Sequence, residues 1–311
     1  MNHLSERLIP LVRYLADERA RTGGWMPDIR TDDDALATMT VQDLWTLFRV
    51  FVNTREPIEP DRKWLKDQDE LLHDIIANRG ITDIDDASAI RSATDPRLRL
   101  WRGDITAIRA DAIVNAANSE MLGCWAPGHL CIDNAIHTFA GVELRLECAR
   151  IMREQGTPEA TGRAKITPGY NLPATHVIHT VGPIAAGHPS DRDRELLASS
   201  YRSCLDLAAA HRLRSIVFCC ISTGVFGFPQ QEAAEIAVRT VRAWLAGHAS
   251  TSAGTGRSGE PANPGNGSTP ATPTVIFDVF GEADEHIYCQ LLGIPAPDEQ
   301  TTPTTPANPA E

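Results

Sequence analysis

The chain has 311 residues, a length that suits one large domain or two domains of ordinary size. Its composition, 42% hydrophobic and 23% charged, provides enough apolar side chains for a packed core and excludes a wholly disordered chain. The formal net charge of −12 disfavours binding to nucleic acid or to an anionic membrane, so neither is expected as a partner. We expect any anionic ligand to be held by backbone N–H groups.

The cysteines and the apolar pattern indicate the cellular compartment. Seven cysteines, an odd number, are typical of reduced thiols rather than of a disulfide framework. The first ten residues lack the apolar centre of a secretory signal, and no apolar run approaches the ~18 residues that cross a membrane. We therefore expect a soluble, cytoplasmic protein.

Residues 1–92 have the pattern of a helical extension. Apolar residues recur at helical spacing over 4–15 and 44–51, and Thr40 is a candidate N-cap for the second of these helices. A third helix is predicted over 61–78. Residue types that carry catalysis do not cluster here, so the sequence assigns no function to the extension.

Residues 97–293 alternate short β-branched runs with helical patterns, which indicates an α/β architecture with a mixed, largely buried sheet. Strands are predicted at 97–101, 112–115, 175–181, 215–221 and 274–280. Helices are predicted at 132–155, 195–211 and 230–246. An insert at 251–273 and a tail at 296–311 are rich in Pro, Gly or Thr, and we expect both to be disordered.

The first chemical motif follows the predicted strand at 112–115, which runs into Asn115-Ala-Ala-Asn118-Ser. Ligands of α/β sheets bind at the carboxyl ends of strands, and Asn side chains both donate and accept hydrogen bonds, as sugar hydroxyls require. The alternative is an ordinary Asn- and Ser-rich turn.

The second motif places Cys124, His129 and Cys131 within eight positions. Thiolate and imidazole are preferred zinc ligands, and three protein ligands leave a fourth tetrahedral position open. The alternative is a pair of buried cysteines beside a surface histidine.

The third motif is the Gly-rich segment 222–229, which links a predicted strand to a predicted helix. Successive N–H groups in such a turn, together with the helix N-terminus, form a cradle for an anion. The alternative is an ordinary strand–helix connection.

These motifs together resemble the macrodomain, a three-layer α/β/α fold that binds ADP-ribose. The resemblance covers 98–293 and is carried by 103–106, 112–118, 133–137 and 222–228. More narrowly, 121–137 is similar to the zinc-containing macrodomain class of bacteria and fungi, in which a Cys-His-Cys set replaces a glycine run. The N-terminal helical extension fits that class as well.

The resemblance implies a hydrolase that removes mono-ADP-ribose from Asp and Glu side chains of modified proteins, with Zn²⁺ as its cofactor. Asp104 and Ile105 would bind adenine, Asn118 would orient the distal ribose, and Asp133 would position or activate water. The implied metal ligands are Cys124, His129 and Cys131. The diphosphate and distal ribose would be held by Ser222, Thr223, Gly224, Val225 and Phe226. Some family members act beside a sirtuin-like transferase and a lipoylated carrier protein, which makes these candidate partners.

Several alternatives stay open at this stage. Asp104 would otherwise cap a turn, Asp133 would cap the helix that begins near Asn134, and Phe226 would pack in the core. Asn115 is predicted to bond backbone at its strand end, and the sequence favours satisfied core histidines at His137 and His179. For the whole chain, the alternatives are a module that binds ADP-ribose without cleaving it, a hydrolase of small O-acyl-ADP-ribose esters, and a purely structural zinc site.

Overall fold

The structure is a computed structural model and describes residues 3–23, 25–86, 89–253 and 272–295. The predicted helical extension is present as α1 (His3–Thr22), α2 (Asp33–Thr38), α3 (Val41–Asn53) and α4 (Arg62–Arg79). Within the described chain, no helix is long and apolar enough to cross a membrane.

Local capping sets the bounds of the extension's helices. Thr40 caps α3 in a reciprocal capping box with Asp43, as its sequence position predicts. The Asp61 side chain accepts hydrogen bonds from two first-turn amides of α4, and Gly80 ends that helix with a φ of 86°. The short helix α2, capped by Asp32, was not predicted because six residues carry too little periodicity.

The remaining elements alternate along the chain. The strands are β1 (Thr82–Asp83), β2 (Arg91–Ser92), β3 (Leu98–Arg102), β4 (Ile108–Arg109), β5 (Ala112–Ala117), β6 (Ala164–Pro168), β7 (His176–Val181), β8 (Ser215–Phe218) and β9 (Thr274–Val279). The helices are α5 (Ile132–Ala140), α6 (Val142–Gln155), α7 (Asp191–Ala210), α8 (Gln230–Ala253) and α9 (Glu282–Leu292), with a single 3-10 turn at Ile105–Ala107.

Within the described ranges, seven strands form a mixed sheet in the order β2-β3-β9-β8-β5-β7-β6. Neighbouring strands from β3 to β7 are parallel, and the edge strands β2 and β6 are antiparallel to their neighbours. Helices α5 and α6 contact each other and the extension, while α7, α8 and α9 form a second contacting set. This arrangement confirms the expected α/β/α fold with a mixed sheet. It also brings the carboxyl ends of β3, β5 and β8 to one edge.

Two predicted helices differ in their bounds from those in the structure, and part of the predicted disorder is not described by it. The helix predicted over 132–155 is two helices, because the backbone turns at Gly141 with a φ of 90°. Helix α8 runs seven residues past the predicted 246 and includes the start of the segment expected to be disordered. The rest of that insert, apart from its last two residues, and the tail at 296–311 lie outside the described residues.

The hydrophobic core is continuous between the extension and the sheet. Leu8, Phe48 and Leu72 of the extension belong to the same buried cluster as Ile113 and Val177 of the central strands. Two hydrogen bonds also join the extension to α6. The buried Arg145 of α6 donates to the backbone carbonyls of Asn53 and Arg55 at 2.7 and 2.6 Å. The extension therefore packs as part of the fold's interior.

Candidate active site

The loop after β3 carries Asp104 at the carboxyl edge of the sheet. One carboxylate oxygen accepts from the Thr106 amide at 2.9 Å and from the Thr106 hydroxyl at 2.6 Å. This is the turn-capping role that the sequence left open. The carboxylate is half-exposed and keeps lone pairs for a ligand, so capping does not exclude binding.

The loop after β5 is shaped by Asn118. Its side-chain oxygen accepts from the amides of Glu120 and Met121, and its Nδ2 donates to the carbonyl of Gly123 at 2.9 Å. Asn118 thereby fixes the backbone that leads directly into Cys124. One hydrogen of the amide group remains available to a ligand.

The predicted metal ligands converge. The ligand atoms of Cys124, His129 and Cys131 all lie within 4.8 Å of one another, and Cys124 Sγ is 3.5 Å from His129 Nδ1. All three side chains are half-buried, which argues against buried cysteines beside a surface histidine. Asn134 holds this metal loop (residues 124–131) in place by donating to the carbonyls of Ala126 and His129.

The donor set fits Zn²⁺ by its chemistry, because two thiolates and one imidazole are typical zinc ligands and a fourth tetrahedral position stays open. Burial raises the pKa of the Cys131 thiol to about 12, so a nearby cation is needed to hold it as a thiolate at neutral pH. Cys131 is also the N-cap of α5 and accepts from the Asn134 amide at 3.5 Å. The possibility that Asp133 caps this helix is therefore wrong.

Asp133 lies in the first turn of α5, two residues after the metal loop, and its carboxylate is buried. Asn115 Nδ2 donates to Asp133 Oδ1 at 2.8 Å, and His137 Nε2 is 3.6 Å from the same oxygen. Burial raises the pKa of Asp133 to about 6, with Asn115 and Arg145 acting in the opposite direction. The predicted backbone role of Asn115 is replaced by this side-chain contact.

A second set of metal-ligand types lies deeper in the fold. His137, Cys148 and His179 have ligand atoms within 4.8 Å of one another, and all three are buried. His179 is a core histidine, as predicted, because its nitrogens contact the Thr167 hydroxyl at 3.0 Å and the Asn115 amide at 3.2 Å. We therefore interpret this set as a polar network of the core. His137 departs from the prediction of a satisfied histidine, since within the described structure neither ring nitrogen has a hydrogen-bond partner; Asp133 Oδ1, at 3.6 Å from Nε2, is too distant for one.

The Gly-rich loop after β8 exposes its backbone. Within the described structure, the amides of Gly224, Val225 and Phe226 donate to no backbone or side-chain acceptor. Ser222 turns the chain with a φ of 67°, and its buried hydroxyl likewise lacks a partner in that part of the chain. The Thr223 hydroxyl is used locally, donating to the Cys220 carbonyl. Consecutive N–H groups without acceptors, followed by the start of α8, are the arrangement from which an anion cradle was predicted.

The family model for the Macro domain matches residues 114–237, which include the metal loop and the Gly-rich loop after β8. A protein-ADP-ribose hydrolase of Treponema medium is 46% identical over 288 residues, covering 92% of this chain and 98% of that protein. The chain belongs to the macrodomain family. A protein-ADP-ribose hydrolase of Staphylococcus aureus is 50% identical over 218 residues, which cover 70% of this chain and 80% of that protein. The structure of a Trypanosoma brucei macrodomain in complex with ADP-ribose is 30% identical, with a TM-score of 0.54, and covers 78% of this chain and 94% of that one.

Two arginines of this macrodomain contact the site but were not identified from the sequence. Arg79, the last residue of α4, forms an ion pair with Asp104. The guanidinium of Arg145 lies 4.4 Å from the ring centroid of Trp125 in the metal loop. Neither arginine stands in a motif, because each contact joins segments that are distant in sequence. Neither contact could therefore be predicted from the sequence.

Proposed function

We propose that this protein-ADP-ribose hydrolase of the macrodomain family removes mono-ADP-ribose from Asp and Glu side chains of modified proteins, with Zn²⁺ as its cofactor. The observation that carries the proposal is the convergence of Cys124, His129 and Cys131 within 4.8 Å, in the loop that Asn118 shapes. Recognition of ADP-ribose alone needs no thiol and imidazole set. The metal loop therefore favours the enzyme over a binding module.

The two outer loops supply the groups that would bind ADP-ribose. We assign the Asp104 carboxylate to the exocyclic amine of adenine and the Ile105 amide to a ring nitrogen. The amides of Gly224, Val225 and Phe226, free within the described structure, are assigned to the diphosphate. Because the chain carries a net charge of −12, attraction of this dianion has to come from local N–H dipoles.

The inner loop supplies the groups for the reaction. Bound Zn²⁺ would serve as a template and Lewis acid for an oxygen at the distal ribose. Asn118 has one free amide hydrogen, which we assign to a ribose hydroxyl, and Asp133 is assigned to hold the attacking water. Water would form a bond to C1″ as the bond from C1″ to the protein carboxylate breaks, and Asp133 would accept the proton that the water loses. The carboxylate leaves without a proton donor because the pKa of its acid is about 4. A sirtuin-like transferase and a lipoylated carrier stay predictions from the family resemblance.

The test compares zinc content and turnover in matched cysteine variants. Cys131→Ala removes a proposed ligand, whereas Cys289→Ala removes a buried thiol of α9 outside the site. Zinc content is measured by metal analysis. Turnover is measured as the release of ADP-ribose from Glu-, Ser- and Arg-linked protein substrates and from an O-acyl-ADP-ribose ester. We expect Cys131→Ala to lose zinc and turnover together, Cys289→Ala to keep both, and the unaltered protein to act on the Glu-linked protein.

Other outcomes separate the alternatives. Full turnover by zinc-free Cys131→Ala would reject a role for zinc in the reaction. Retention of the modified protein without release of ADP-ribose would identify a binding module. Release from the small ester alone would change the substrate class.

A further inference from the structure

We propose that the helical extension completes the adenine end of the pocket, with Arg79 as a positioning residue that holds the Asp104 carboxylate for the exocyclic amine of adenine. The proposal rests on the proposed function, because it takes Asp104 as the group that binds adenine. Arg79 would act through Asp104 and would not take part in bond cleavage.

The first argument is the geometry of the carboxylate. Thr106 occupies Asp104 Oδ1 with its amide and its hydroxyl, and the Arg79 guanidinium binds Oδ2. Both oxygens are therefore fixed before any ligand arrives. A carboxylate oxygen accepts more than one hydrogen bond, so Oδ2 retains a lone pair for an amine. The Asp104 side chain is 35% exposed, which leaves this lone pair accessible.

The second argument is how Arg79 is held. Its guanidinium lies over the ring of Phe139 in α5, 4.4 Å from the ring centroid, and its side chain is 20% exposed. The Phe139 ring on one side and the Asp104 carboxylate on the other fix the guanidinium. A guanidinium fixed in this way holds the carboxylate in one position, which is the role proposed for Arg79.

The third argument is electrostatic. ADP-ribose carries a negatively charged diphosphate, and an unpaired Asp104 would repel it. The Arg79 charge offsets that repulsion while Asp104 stays ionised and therefore accepts hydrogen bonds only. An acceptor-only carboxylate favours the amine of adenine over the carbonyl oxygen of hypoxanthine, so the pair also sets base specificity.

The extension is firmly attached where this role requires it. Gln68 of α4 accepts from the Val142 amide at 3.2 Å, and Asn53 of α3 donates to the Thr138 hydroxyl at 3.0 Å. These contacts tie α3 and α4 to the region of α5 that carries Phe139. Arg79 is therefore presented to Asp104 by a fixed helix end.

The experiment measures binding of ADP-ribose and of its hypoxanthine analogue, inosine diphosphate ribose, by calorimetry. Arg79→Ala removes the ion pair, and Lys66→Ala removes an exposed charge from the same helix as a matched control. We expect Arg79→Ala to weaken the binding of both ligands, because the charge that offsets Asp104 is lost. ADP-ribose should be weakened about fivefold more than the analogue, because only adenine loses a fixed hydrogen bond from its amine. Arg79→Lys should restore part of the preference, and Lys66→Ala should match the unaltered protein.

The outcomes distinguish this proposal from the proposed function. If the unaltered protein binds ADP-ribose but Arg79→Ala binds it equally or more tightly, the role of Arg79 is rejected and the proposed function stands. If the unaltered protein fails to bind ADP-ribose, both are rejected. Should Arg79→Ala not fold, Arg79→Lys carries the test, and an unchanged preference for adenine in that variant overturns the proposal.

Discussion

At the scale of single residues, Asp133 combines a buried position with closeness to the metal loop. The residue is 5% exposed, and its Oδ1 accepts a hydrogen bond from the side-chain amide of Asn115. Cys131, two residues earlier, caps the same helix and is a proposed metal ligand. Asp133 is therefore placed where a charge could orient water without binding the metal.

Asp133→Asn tests this role because it keeps the size of the side chain and an oxygen for Asn115. We expect kcat to fall by about 100-fold, the effect of losing a positioned general base, while zinc content stays the same. Steady-state kinetics and metal analysis on the same preparations check both. A kcat within twofold of the unaltered value would leave Asp133 with a structural role only.

At the scale of elements, the break between α5 and α6 depends on a glycine. Gly141 has a φ of 90°, and a Cβ there would lie 2.7 Å from Gln68 Nε2 and 2.8 Å from Asn171 Nδ2. Both side chains also bond the surrounding backbone, since Gln68 accepts from Val142 and Asn171 donates to Ala140. The position thus joins the extension to the rest of the fold.

Gly141→Ala should lower the free energy of unfolding by about 3 kcal/mol, from backbone strain and the displaced hydrogen bonds. Gly156→Ala is the matched control, because its φ is 72° but nothing lies within 4 Å of an added Cβ. That control should cost only about 1 kcal/mol. Urea unfolding measures both, and equal losses would show that crowding at Gln68 and Asn171 is unimportant.

The elements also show what the sequence could predict. Helix α3 was predictable because its capping box is a local signal, and the metal loop because its three ligand types lie within eight positions. Strand β6 was missed because it is a half-buried edge strand with weak alternation. The Arg79 contact could not be predicted, since it depends on how α4 packs against the turn after β3.

At the scale of the whole molecule, one hydrophobic core stabilises the fold and supports the candidate site. The extension and the sheet contribute side chains to a single buried cluster, so the elements that carry the site loops pack on the same core. The same core contains an ionisable side chain with one oxygen that lacks a hydrogen bond. Asp278 of β9 is buried, and its Oδ1 has no hydrogen-bond partner in the described chain.

Burial raises the pKa of Asp278 well above its ordinary value of 3.8, although the Gly103 amide opposes the shift. The neighbouring thiols of Cys219 and Cys220 stay neutral, since burial also raises their pKa values. A carboxyl group with a raised pKa stabilises the folded state most at pH values below its unfolded pKa. That stabilisation is lost as the pH rises towards the folded pKa.

Asp278→Asn removes this titration and should raise the free energy of unfolding at pH 7, while changing it little near pH 4. Glu235→Gln, an exposed neutralisation on α8, controls for the change in net charge and should alter neither value by more than a few tenths of a kcal/mol. Urea unfolding across pH 4 to 8 measures the difference. The free energies of unfolding of Asp278→Asn and of the unaltered protein are expected to differ more as the pH rises. If the difference does not grow with pH, Asp278 is ionised in the folded state. Its charge would then need a compensating partner near Gly103, at the edge of the sheet where adenine is proposed to bind.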